Sequence, residues 1–126
     1  MSFILVPKHG DNLKVNAWNW RPTLEFLLHE KVIDAETHEL MSLNGCGGKA
    51  DADLARRIAA AIDCKLQRMH PGERIRADLL ITAEPKKVVQ FESSDPIDAV
   101  DLYSAKYEGL VEFTNFCKRS GGFEVS

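Results

Sequence analysis

The chain has 126 residues, of which 44% are hydrophobic and 28% charged, as in an ordinary folded domain. Its formal net charge of -3 argues against a general nucleic-acid binder, because such proteins need a basic surface to displace counterions. The sequence shows neither a long apolar run nor a signal-peptide pattern, so we expect one cytoplasmic globular domain over residues 1–126, without membrane association.

The first elements predicted along the chain are two short β-prone runs. The run from Phe3 to Val6 ends at Pro7, and a turn cluster follows over residues 9–12. Val15 and Ala17 then alternate with polar residues, as the inward positions of a strand do. The pattern predicts an N-terminal hairpin, and an extended arm lying on the helices is an equal alternative.

Both tryptophans stand in the run W-N-W-R-P over residues 18–22. In a strand Trp18 and Trp20 would share one face, and in a loop they would flank the next helix. Pro22 suits the first position of a helix, where its missing N–H is no loss, and this helix is predicted to reach Lys31. Because tryptophan and arginine dominate binding hot spots, Trp18, Trp20 and Arg21 are candidate binding residues. At least one tryptophan is expected in the core.

The strongest helix signal lies over residues 51–69. Asp51 is a good N-cap, and apolar residues recur there at three- and four-residue spacing. This face consists of Ala55, Ile58, Ala59, Ile62, Leu66 and Met69. Before it, Asp34 is predicted to cap a helix from Ala35 to Leu43, and residues 44–49 form a glycine-rich linker.

The second half of the chain predicts a hairpin across residues 74–91, with its turn at 84–87, and a loop at 93–96. Ser104 is expected to cap a last helix from Ala105 to Arg119. Gly121 and Gly122 would end that helix with positive φ angles, and the residues after them would fold back onto it. We therefore expect a mainly α domain of about four helices with one or two short β-hairpins, and α+β is the alternative.

The residues that bind metals best in proteins are scattered along the chain. Neither C-x-x-C nor H-E-x-x-H occurs among the three cysteines and four histidines. We therefore predict no bound metal and no cofactor. Cys64 and Cys117 stand in apolar patterns typical of core residues, whereas Cys46 lies in the predicted linker.

The run W-N-W-R-P and the later run F-C-x-x-S-G-G-F (residues 116–123) resemble a set of small bacterial proteins that have no assigned function. The resemblance implies a compact bacterial domain and names no site. The leading hypothesis is a non-enzymatic module that binds a protein partner, and proteins that neutralise toxins (immunity-like proteins) are one such class. The alternative is a small enzyme or ligand-binding domain. Its pocket would be framed by Trp18, Trp20, Arg21, Ser120, Gly121 and Gly122.

The metal prediction can be tested directly. We expect protein purified without a histidine tag to hold much less than one equivalent of zinc by elemental analysis, because no ligand motif is present. A full equivalent that resists dialysis would contradict it.

Overall fold

The computed structural model describes residues 2–43, 45–76, 78–83 and 104–126. These residues form four helices: α1 (Ala17–His29), α2 (Ala35–Met41), α3 (Ala52–Leu66) and α4 (Tyr107–Ser120). They also form seven strands: β1 (Ser2–Pro7), β2 (Leu13–Asn16), β3 (Lys49–Asp51), β4 (Glu73–Arg76), β5 (Ile81–Ala83), β6 (Ser104–Lys106) and β7 (Gly122–Val125). The described part of the chain is therefore α+β, which was the stated alternative to a mainly α fold, and the expectation of about four helices is confirmed.

The strands form two antiparallel sheets. The larger has the order β2-β1-β7-β3, and the smaller has the order β5-β4-β6. In the larger sheet Leu5 of β1 lies opposite both Leu13 of β2 and Val125 of β7. This register confirms the predicted N-terminal hairpin. The residues after the C-terminal glycines form β7, a central strand of this sheet, and Phe123 in it also packs on Phe113 and Phe116 of α4, in line with the predicted return onto that helix.

The larger sheet has one buried and one exposed face, because neighbouring side chains of a strand point to opposite sides. Phe3 and Leu5 of β1 are buried, whereas Ile4 and Val6 are each 41% exposed. The helices α3 and α4 pack against each other, and both contact β7. The core is thus enclosed between the inner face of this sheet and the helices.

Helix α3 has the predicted cap and face. The carboxylate of Asp51 accepts a hydrogen bond from the backbone N–H of Leu54 at 2.7 Å. The inward residues Ala55, Ile58, Ala59 and Ile62 are all buried. The helix ends at Leu66, earlier than expected, but Met69 beyond it is still buried at 4% exposure.

Helix α2 also begins as predicted. Asp34 accepts a hydrogen bond from the N–H of Thr37 at 2.7 Å, and this bond holds the pKa of the Asp34 carboxyl below its usual value. The helix ends at Met41 rather than at Leu43, and Met41 is fully buried.

The predicted start of α1 at Pro22 is wrong. The helix begins at Ala17, because the side chain of Asn16 caps it by accepting from the N–H of Asn19 at 2.9 Å. Pro22 therefore lies inside the helix, where it has no N–H to donate to the carbonyl of Trp18. The helix ends at His29 rather than at Lys31.

Two short strands lie where the sequence predicted other structure. Lys49–Asp51, at the end of the predicted linker, is the edge strand β3 beside β7. Ser104 is in β6 and caps no helix: its hydroxyl accepts from the Nη1 of Arg74 at 3.1 Å. Helix α4 starts later, at Tyr107, and its N-cap Lys106 makes no side-chain capping bond. Strands of three residues carry too little periodicity to predict, since pairing with a distant strand decides them.

The predicted hairpin across residues 74–91 is correct in kind but misplaced. Arg74 pairs with Thr82 across β4 and β5, so the second strand of the hairpin is Ile81–Ala83, earlier than predicted. The predicted turn at 84–87, the predicted strand at 88–91 and the loop at 93–96 lie outside the described residues. Within the described ranges, no helix combines the length and the apolar character needed to cross a membrane.

The packing of α3 predicts a large cost for truncating its buried face. Ile58 is 0% exposed, so Ile58→Ala should lower the free energy of unfolding by about 2–5 kcal/mol through lost burial and a cavity. Arg56→Ala on the exposed side of α3 is the matched control and should change it by no more than about 0.5 kcal/mol. Chemical denaturation measures both, and equal effects would show that the buried face of α3 is assigned incorrectly.

Candidate functional site

Helix α1 separates the two tryptophans of the W-N-W-R-P run. Residues two apart in a helix point about 200° away from each other, so the side chains cannot share a face. Trp18 is 45% exposed, whereas Trp20 is 2% exposed. The two predicted arrangements, a strand and a loop, are both wrong. The signal that could have placed the helix start is Asn16, three residues before the N–H that it caps.

Trp20 is a core anchor. Its indole Nε1–H donates to the backbone carbonyl of Met41 at 2.8 Å, so its one polar group is satisfied inside the protein. The ring meets that of Phe113 edge-on, with centroids 5.3 Å apart, and that of Phe3 at 6.2 Å. The expectation that at least one tryptophan lies in the core is confirmed.

Trp18 and Arg21 lie on the opposite, exposed side of α1. Together with Glu25 they occupy an arc of about 60° on the helix surface. Glu25 reaches α2, where its Oε1 lies 2.9 Å from the Nε2 of His38. Leu43, just after α2, is 48% exposed and lines a groove with Arg21, Glu25 and His38. We call this set the α1–α2 surface: Trp18, Arg21, Glu25, His38 and Leu43.

The C-terminal turn predicted to complete the site is a structural element. Ser120 is fully buried, and its hydroxyl donates to the carbonyl of Cys117 and accepts from the N–H of Gly122. The carbonyls of Ser120 and Gly122 accept from the N–H groups of His9 and Lys8, each at 3.0 Å. A Cβ on Gly122 would lie 2.9 Å from the carbonyl oxygen of Ala50. The turn therefore joins β7 to its neighbours.

The turn also lies far from the start of α1. Asn19 accepts a hydrogen bond from the N–H of Lys106, just before α4, whereas Ser120 is the last residue of that 14-residue helix. A helix of this length spans about 20 Å. Gly121, with a φ of 69°, ends α4 as predicted, and its missing side chain leaves room for the His9 ring. Trp18 and Arg21 do not come together with the glycine turn.

A second concavity lies on the other side of α1, and we call it the α1–α4 pocket. It has a volume of about 190 Å³ and lies where β2, α1, β6 and α4 meet. Its lining combines polar and charged side chains with the edges of core residues such as Trp20 and Phe113, which are 2% and 3% exposed. The lining residues are Leu13, Lys14, Val15, Asn16, Asn19, Trp20, Thr23, Ala105, Gly109, Leu110, Glu112 and Phe113. It shares Trp20 with the predicted site but none of the glycine turn.

The burial of the three cysteines differs from the prediction at one position. Cys117 is buried as expected, and burial raises the pKa of its thiol to about 12, so it stays protonated at neutral pH. Cys64, also expected in the core, is exposed, as is Cys46. Among the described residues, no group of three or more histidine, cysteine, aspartate or glutamate side chains is arranged to hold a metal ion.

The comparisons with known proteins found no matching protein family, no similar curated protein and no similar solved structure. The candidate sites of this chain are therefore characterised by their own geometry, which offers the exposed α1–α2 surface and the partly enclosed α1–α4 pocket.

The different environments of the tryptophans make a matched pair of variants informative. Trp20→Phe removes the bond to the Met41 carbonyl in the core and should cost about 1–3 kcal/mol of unfolding free energy. Trp18→Phe keeps most of an exposed side chain and should change it by no more than about 0.5 kcal/mol. Urea denaturation followed by far-UV circular dichroism measures both variants without relying on tryptophan fluorescence. A larger loss for Trp18→Phe would contradict the assignment of the two side chains.

Proposed function

We propose that this chain is a non-enzymatic module that binds a protein partner through the α1–α2 surface. The observation that carries the proposal is the exposure of Trp18, at 45%, on the same helical face as Arg21. Tryptophan and arginine are both among the residue types enriched in the hot spots of protein interfaces. Leu43, at 48% exposure, adds a second apolar side chain to this surface.

The area of Trp18 that a partner could remove from water is large enough to support this interpretation. A tryptophan presents up to about 250 Å² of surface. The exposed part of Trp18 is therefore roughly 110 Å², and its removal from water would contribute about 3 kcal/mol at about 25 cal/mol per Å². One side chain could thus supply a large part of the affinity of a transient complex.

The charges of the surface indicate what the partner presents. Arg21 offers a planar guanidinium that can bind a carboxylate with two parallel hydrogen bonds. Glu25 on the same face contacts His38 of α2, with Oε1 and Nε2 2.9 Å apart. We therefore infer that the partner offers an apolar contact for Trp18 and Leu43 next to an acidic side chain for Arg21. Within this class, toxin-neutralising activity is the version of the proposal to test first, with candidate toxins as the partners.

Arg21→Ala tests the proposal. Arg21 is exposed, so its removal should leave the melting temperature nearly unchanged but weaken partner binding by about 2 kcal/mol or more. Arg56→Ala is the matched control, since Arg56 is an exposed arginine on α3 and lies outside the α1–α2 surface. Thermal unfolding and quantitative co-purification with candidate partners give the two readouts.

The stability measurement alone distinguishes a structural role of Arg21 from a recognition role, even before any partner is known. If Arg21 is a structural residue, its loss should cost about 1–3 kcal/mol, and a loss of that size would overturn the proposed recognition role. If stability is unchanged but a partner binds Arg21→Ala and wild type equally, Arg21 is not a contact, and the surface is assigned incorrectly.

A further inference from the structure

The outward side of α1 carries a regular stripe of four residues, which we call the α1 seam. Trp18, Arg21, Glu25 and Leu28 follow one another at spacings of three, four and three residues. With these spacings a helix presents one stripe to a second helix that packs along it. Trp18, Arg21 and Glu25 are exposed, and Leu28 is a partly buried side chain at the edge of the core. The seam can therefore receive another helix lengthwise.

The order of the side chains makes the seam complementary to itself. Arg21 and Glu25, of opposite charge, occupy its middle, and the apolar Trp18 and Leu28 occupy its ends. Consider two copies of α1 that pack antiparallel about a two-fold axis at the level of residues 21–25. Arg21 of each copy then lies opposite Glu25 of the other, because a two-fold axis repeats every contact. By the same symmetry Trp18 of each copy lies opposite Leu28 of the other.

A parallel arrangement of the same two helices is unfavourable. It would place Arg21 opposite Arg21 and Glu25 opposite Glu25, and like charges opposite each other in an interface act against association. The positions of the two charges therefore select the antiparallel pair. This contact uses the same surface on both copies, so it closes after two chains and leads to no longer assembly.

Helix α2 extends the seam on one side. Leu43 is 48% exposed and lines a groove with Arg21 and Glu25, so it lies at the level of the two-fold axis and would come near its own copy. The contact of Glu25 with His38 can be kept, because a carboxylate has two oxygens and accepts several hydrogen bonds. The antiparallel pair would thus cover Trp18 and Leu43 while each seam charge meets its opposite.

The size of this contact indicates a weak dimer. Helix α1 has 13 residues and is therefore about 20 Å long. A contact along one helix of this length covers much less than the roughly 800 Å² per partner that stable interfaces bury. We therefore expect a dissociation constant between about 10 μM and 1 mM.

We propose that this protein forms an antiparallel two-fold dimer through the α1 seam, in which Arg21 of each copy pairs with Glu25 of the other. The inference rests on the proposed function, because it names a second copy of this chain as a partner of the α1–α2 surface. The dimer covers Trp18, so another protein that binds this surface must first separate the two copies. Self-association and the binding of such a protein therefore exclude each other.

Sedimentation equilibrium of the full chain tests the proposal between about 5 μM and 1 mM, at low ionic strength, where charge pairs are least screened. We expect the average mass to rise with concentration towards that of two chains. Arg21→Glu and Glu25→Arg should each weaken self-association by about tenfold or more, because each places like charges opposite one another. A wild-type chain that stays monomeric up to about 1 mM would overturn the proposal.

The same two variants also test the pairing itself. One carries two acidic side chains on the seam and the other carries two basic ones, so their equimolar mixture should form a heterodimer although each alone is weakened. The double variant Arg21→Glu/Glu25→Arg again has opposite charges across the axis and should regain self-association. If neither the mixture nor the double variant associates, while circular dichroism shows folded chains, the proposed pairing is overturned.

Arg56→Glu on α3 and Glu112→Arg on α4 are matched controls. They make the same changes in net charge at exposed helix positions outside the seam, and they should leave self-association unchanged. If they weaken it as much as the seam variants do, net charge is the cause and the seam is not the interface. Trp18→Ala keeps the seam charges but should also weaken self-association by about tenfold or more. An unchanged affinity of this folded variant would overturn the proposal.

Failure of this inference can be distinguished from failure of the proposed function. If the chain is monomeric but Arg21→Ala weakens co-purification with another protein, the α1–α2 surface binds that protein and the dimer is excluded. If the chain dimerises and the seam variants behave as expected, the dimer is supported even when Arg21→Ala affects the binding of no other protein.

Discussion

The indole of Trp20 is the contact on which the rest of the described structure depends. Its ring joins β1 through Phe3 and α4 through Phe113, and its N–H reaches the last carbonyl of α2 at Met41. A buried indole needs both a close-packed apolar surround and one hydrogen-bond acceptor. Trp20 meets both requirements through its contacts with β1, α4 and α2. These contacts determine the orientation of α1.

The orientation of α1 in turn determines the α1–α2 surface and the position of the α1–α4 pocket. With Trp20 directed inward, the helical twist places Trp18 outward beside Arg21, on the α1–α2 surface. The side of α1 that faces α4 carries Asn19, which accepts from the N–H of Lys106 and so connects the start of α1 to the strand before α4. The α1–α4 pocket lies along this connection. The α1–α2 surface and the α1–α4 pocket therefore lie on two sides of one helix, whose orientation is held by one buried ring.

The ends of the described chain meet in the middle of the larger sheet. Strand β7 lies between β1 and β3, and Arg119 adds bonds to the carbonyls of His9 and Asp11. The ring of Phe123 in β7 also contacts the rings of Phe113 and Phe116 in α4, with centroids 5.9 and 5.6 Å apart, respectively. Sheet formation thus needs residues far apart in sequence, which is the type of contact that slows folding.

The site could be predicted from the sequence only in part. Trp18 and Arg21 were named from residue type alone, and both lie on the exposed α1–α2 surface. His38 and Leu43 join them because α2 packs beside α1. Lys14, Gly109 and Glu112 come from β2 and α4, so no local pattern could associate them with a pocket. The pattern at Gly121 and Gly122 correctly predicts the end of α4, but it says nothing about binding.

The sequence by itself determined the elements whose reasons are local. These elements are the periodic face and Asp51 cap of α3, the Asp34 cap of α2 and the positive-φ end of α4 at Gly121. Each depends on residues within a few turns of one helix. The N-terminal hairpin was one of two equal alternatives, and only the structure decided for it. At the start of α1 two local signals conflict, because Asn16 can cap a helix that begins at Ala17 whereas Pro22 disfavours a helix interior. Only the tertiary structure, in which Trp20 is buried, decided between them. It also decided β3 and β6, since three-residue strands exist only through hydrogen bonds to partners that are distant in the chain.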